Sequence, residues 1–224
     1  MNDTTDKGME WATRLCENPG LAAECDWTAF DGNAWHCLLC KQPQFSSMCD
    51  WSFAREWRDE IGRWYWVTLL GEQPQFADRC DCWADFDETD LVYLLRKQPS
   101  LASRLTMEKQ SGEVQGMILN ADPEALSRCR VDNFSSKDWR RFLLELDAVP
   151  GELLDKCPWE KFTGNDWVGL LCSKADFAKY CHWDTFETDN WRELLHSRPE
   201  YRSEFNAHSG LKYEDLDVEN WEPF

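Results

Sequence analysis

The chain carries 42 acidic against 24 basic side chains over 224 residues, a net charge of −18. That balance excludes direct binding to nucleic acid or to anionic membranes, while 14 Trp, 12 Phe and a 42% hydrophobic content exclude a solvated, disordered acidic tail. No apolar run approaches the roughly 18 residues of a membrane span and the polar opening MNDTTDKGMEWATR has no signal-peptide pattern, so the expected location is the cytoplasm, of a bacterium or of the host if the chain is phage-encoded.

In chain order a half unit comes first (Trp11, Leu15, Pro19, Leu21), and a period follows it. With Cys25 as position zero, that position recurs as Cys49, Cys80, Leu105, Cys129, Cys157, Cys181 and Phe205, at spacings of 24, 31, 25, 24, 28, 24 and 24. Position 2 holds Trp27, Trp51, Trp159 and Trp183, and position 10 holds Trp35, Trp139, Trp167 and Trp191. Leu-Leu pairs stand at 38–39, 170–171 and 194–195, with Pro43, Pro123 and Pro199 at position 18. An insertion at about 54–62 lengthens the second unit, after which Trp66, Leu69, Leu70 and Pro74 return in phase. The unit from Leu105 has Met107, Gln110 and Gln115 where aromatics stand elsewhere, which predicts a softer joint or bend over about 105–128. A closing half unit holds Tyr213, Leu216 and Trp221. Units therefore start near residues 1, 25, 49, 80, 105, 129, 157, 181 and 211, the pattern of one stacked-repeat domain over 1–224.

Each unit reads as two short helices. Apolar residues at positions 10, 13 and 14 share one helical face, and Asp87, Ser135 and Thr163, each followed three residues on by an Asp, supply N-caps in capping boxes. The Pro at position 18 stops that helix and opens a second one, in which Phe or Leu, Ala and Cys at positions 20, 21 and 24 line a face. Helices of two or three turns are marginal alone and need neighbours. The expected fold class is all-α: a right-handed-type superhelical solenoid of short two-helix repeats, about seven full units between partial capping units.

The run LLGEQPQFADRCDCWADF resembles the roughly 24-residue helical tandem repeats of bacterial and phage proteins, is similar in unit length to the leucine-rich repeat variant, and is similar in stacking to HEAT repeats. The resemblance implies a superhelical scaffold that binds partners, and it carries over no catalytic residue.

Chemistry is sparse outside the period. Six cysteines lie at position zero, and Cys16, Cys40 and Cys172 share position 15. A solenoid spreads equivalent residues along its axis, so these read as buried apolar thiols rather than metal ligands. Cys37 and Cys82 are off-phase, and HCLLC (36–40) is the one Cys-x-x-Cys, with no second pair at zinc spacing. No nucleophile-and-base set, phosphate loop, metal site or cofactor motif stands out, so an enzyme is not expected. The off-phase insertion is the candidate contact: Arg55, Trp57, Arg58, Asp59, Glu60 and Trp64 combine aromatics and arginines as binding hot spots do, with a lengthened helix covering the next unit as the competing reading. The expected function is a non-catalytic protein–protein interaction scaffold whose acidic surface takes a basic protein partner. The alternative is a nucleic-acid-mimicking inhibitor of a nuclease, of the phage anti-restriction or anti-CRISPR kind.

Overall fold

The computed structural model describes residues 3–56 and 60–218. Among these there is no strand; the chain alternates short α-helices with 3-10 turns and divides into two compact units, Met1–Leu105 and Thr106–Phe224. The first unit contains α1 (Asp3–Glu17), α2 (Gly32–Lys41), α3 (Glu60–Glu72) and α4 (Glu88–Lys97). The second contains α5 (Gly112–Ala121), α6 (Ser136–Glu145), the single turn α7 (Gly151–Leu154), α8 (Gly164–Ser173), α9 (Thr188–Ser197) and α10 (Arg202–His208).

The helix starts follow from side-chain chemistry. Asp87 accepts the Asp90 amide at 3.0 Å while the Asp90 carboxylate accepts the Asp87 amide at 3.1 Å, and Ser135/Asp138 and Thr163/Asp166 form the same boxes. The predicted second helix is corrected to a 3-10 turn. Pro74–Arg79 closes i→i+3 bonds, Phe76 N to Gln73 O at 3.1 Å and Cys80 N to Ala77 O at 3.3 Å, because six residues between a helix end and an extended Cys80 leave no room for an α ladder. Pro99–Arg104, Pro123–Arg128 and Ala175–Tyr180 repeat this form. A further 3-10 turn of three residues follows at position 2, as at Trp27–Ala29 and Trp183–Thr185. The last Pro turn departs from the rule and runs on into α10, which buries Phe205 completely.

Helices pack side by side in chain order, α1 to α4 in one unit and α5, α6, α8 and α9 in the other. Their like ends are tied together. The side chain of the helix-ending Gln42 donates to Cys16 O at 3.0 Å, Gln73 to Cys40 O at 2.7 Å and Gln98 to Gly71 O at 2.8 Å, each capping the C-terminal end of the preceding helix. In the second unit Lys174 donates to Leu143 O and Leu146 O, and Arg198 to Cys172 O at 3.0 Å. The glutamine of the repeated QPQF string is therefore the bond between consecutive repeats. Replacing Gln73 by Ala is expected to cost about 1–2 kcal/mol, read as a lower urea midpoint with unchanged slope, because Cys40 O loses its partner in a half-buried place.

The core is built from the periodic residues. Trp66, Trp139, Trp167 and Trp191 and the Leu38–Leu39, Leu69–Leu70 and Leu170–Leu171 pairs are all buried to 1% exposure or less. Where position 2 holds a Trp, the position-10 Trp stacks on it: Trp27 on Trp35 at 5.5 Å, Trp159 on Trp167 at 5.6 Å, Trp183 on Trp191 at 5.5 Å, whereas Trp139 meets Phe134 and Phe142 edge-on. In the unit from Leu105 the missing Trp is replaced by Gln115, 1% exposed, which donates to Gln110 O at 2.9 Å and accepts from Arg130 N at 3.1 Å and the Cys129 thiol at 3.3 Å. An aromatic stack gives way there to a polar knot with its bonds made.

Candidate interaction surface

The candidate contact residues fare unequally. Trp57, Arg58 and Asp59 lie outside the described residues, Arg55 stands in the 3-10 turn Trp51–Glu56, and Glu60 opens α3. Part of the insertion therefore lengthens α3 at its start, which makes it longer than the ten-residue α2 and α4. Trp64 projects from α3 with its ring 5.5 Å from Tyr93 on α4, yet stays 49% exposed. Ile61, one turn earlier, is 65% exposed, and the period gave no sign of it.

Around these two residues the first unit presents an uncharged helical face. No side chain from Gly32 to Cys40 in α2, from Trp64 to Gly71 in α3 or from Leu91 to Leu95 in α4 carries a formal charge once His36 is neutral. Side-chain contacts join the three helices across it: the His36 ring lies 4.7 Å from Tyr65, His36 Nε2 lies 2.6 Å from Thr68 Oγ1, and Trp64 meets Tyr93. Charge is gathered at the two rims. Asp31, Asp87, Glu88 and Asp90 stand at helix N-termini, where amide ends stabilise carboxylates, and Lys41, Arg96 and Lys97 stand at helix C-termini. The two exceptions are already paired, Arg63 with Asp87 and Asp90 at 3.5 and 3.9 Å, and Glu72 with Lys97 at 2.5 Å.

The HCLLC motif belongs to the same face. Cys40 Sγ sits 3.5 Å from His36 Nε2, and burial pushes the Cys40 thiol up to about 12 and His36 down to about 4. A thiol in that state is a poor nucleophile at neutral pH. Burial likewise pushes Cys49 up to about 12 and Cys129 up to about 11, and raises Cys157 and Cys181. Cys80 and Cys82 are buried with their sulfurs 3.5 Å apart, so the off-phase Cys82 packs on the position-zero thiol, whose pKa that contact raises further. Among the described residues no three His, Cys, Asp or Glu side chains gather as a metal ligand set.

Clefts lie elsewhere on each unit. One of about 590 Å³ beside Trp51 is lined by Ser46, Gln75, Phe76, Asp78 and Arg79. Its charges are engaged, with Arg79 over the Trp51 ring at 5.7 Å and Asp78 paired with Arg104 at 2.5 Å. Another of about 510 Å³ in the second unit surrounds Lys174 and Tyr180, and Lys174 is consumed by the carbonyls it caps. No helix of the described residues is long and apolar enough to cross a membrane. No family model, curated protein or solved structure matches the chain.

Proposed function

We propose that the protein is a non-catalytic scaffold for protein–protein interaction, in which each unit is a stretch of right-handed superhelical solenoid and the α2–α4 face is a contact surface. The carrying observation is the emptiness of that face: on a chain of net charge −18 it holds no unpaired charge, and it exposes Ile61 and Trp64 together. Charged side chains are depleted and aromatics enriched at the centres of protein interfaces. The periodic thiols, tryptophans and Gln42, Gln73 and Gln98 are spent on packing and repeat-to-repeat bonds, which leaves recognition to the exterior. Exposed Asp26, Asp50 and Asp81 at position one, beside the short turns, supply the acidic surface for a basic protein. The nucleic-acid-mimic reading has less support, because the carboxylates of Asp90, Asp138 and Asp166 are engaged at helix N-termini instead of forming a free row. A photo-crosslinking residue placed at Ile61 is expected to give a discrete protein adduct in expressing cells, lost in Trp64→Ala, with none from the same residue at exposed Glu152. Absence of an adduct at Ile61, or equal adducts at both places, removes this face from the proposal.

A further inference from the structure

We infer that the α2–α4 face takes a second copy of this chain, docked face to face with its helices antiparallel to those of the first. The inference rests on the reading of that face as a contact surface and adds what occupies it. The like ends of consecutive helices lie together, so α2, α3 and α4 run in one direction and their charged ends form two rims of opposite sign. A two-fold axis along the row of helices, in the plane of contact, reverses every helix and leaves its place in the row unchanged. The acidic rim of each copy then meets the basic rim of the other: Asp31 comes opposite Lys41, and Asp87 comes opposite Lys97, of the second copy. Helix macrodipoles become antiparallel across the contact, which is the favourable sense. A two-fold axis parallel to the helices would instead lay acid on acid and base on base, so the charge pattern is self-complementary in one arrangement alone. Trp64 leaves water between the rims and Ile61 at the acidic end, and reversal of α3 sets both against the C-terminal end of α3 of the second copy.

Net charge opposes any dimer, since each copy carries −18. That repulsion is screened over about 8 Å at physiological ionic strength, and the helix stretches between the two rims of this face carry no formal charge. Asp26, Asp50 and Asp81 lie outside the face.

Sedimentation velocity on the full chain in about 0.15 M salt is expected to show a species of twice 26.4 kDa growing with concentration. Trp64→Asp, and separately Ile61→Asp, are expected to raise the dimer dissociation constant at least about tenfold with helical circular dichroism unchanged. With the photo-crosslinker at Ile61, the adduct is expected to be two copies of this chain, joined at Leu70–Glu72 or at the Arg96–Lys97 end. A monomer at every concentration, or a dimer indifferent to both substitutions, overturns the inference. A joint at residues 61–64 of the second copy overturns the antiparallel arrangement. A monomer whose Ile61 adduct contains a different protein sinks the second copy and leaves the contact surface standing, whereas no dimer and no adduct sinks both.

Discussion

Trp167→Ala is expected to lower the stability of the folded chain by about 3–5 kcal/mol, the largest effect of any single substitution considered. Trp167 is completely buried, stacked at 5.6 Å on Trp159 and 5.0 Å from Phe162, on a helix that packs against α6 on one side and α9 on the other. Helices held on both sides cannot collapse readily into the space an indole leaves, so the loss of burial and the cavity both count. Hydrogen bonding adds nothing to the cost, because Trp167 Nε1 is buried without a partner. The loss is therefore one of packing, and Trp167→Phe should recover more than half of it. Trp64→Ala, by contrast, removes a half-exposed ring and should cost less than about 1 kcal/mol. Urea unfolding followed by circular dichroism checks the pair. Equal effects at the two tryptophans would mean that the period does not mark the core.

Which of these features could be read beforehand depends on the range of the interaction. The capping boxes at Asp87, Ser135 and Thr163 were legible because both halves of each box lie within four residues of sequence. The tryptophan and leucine positions were legible because stacking repeats their burial unit after unit. The turn Pro74–Arg79 was misread, since Phe76, Ala77 and Cys80 have the spacing of an α face while the length of the segment permits only a 3-10 turn. The role of Gln73 was out of reach, its acceptor lying 33 residues earlier on another repeat. Trp64 was visible by being out of phase, but Ile61 and Tyr93 become a surface only when α3 and α4 lie side by side. The uncharged strip was present in the sequence as three charge-free helix stretches, and only the packing shows that they are adjacent.

His36 is expected to make the chain about 2–3 kcal/mol less stable at pH 4 than at pH 7, relative to His36→Gln. Thr68 Oγ1 lies 2.6 Å from His36 Nε2 and can donate within its own helix to Trp64 O at 2.9 Å, so a neutral ring with its proton on Nε2 can donate to it. Burial lowers the pKa from 6.5 to about 4 in the folded chain, with Tyr65 and the Cys40 thiol as neighbours. Between those values the unfolded chain binds the proton and the folded chain does not. Stability therefore rises with pH across that window, is fully present above about 6.5, and is lost as pH falls toward 4. Gln at this place still donates to Thr68 and does not titrate, so the difference between the two proteins cancels the carboxylates common to both. Urea unfolding at pH 7, 5.5 and 4.5 measures it, and a difference that stays flat would show His36 freely hydrated in the folded state. The same burial keeps the α2–α4 face uncharged at neutral pH: a protonated His36 would set a cation among Tyr65, Thr68 and Trp64, where Lys41, Arg96 and Lys97 are held at the rim.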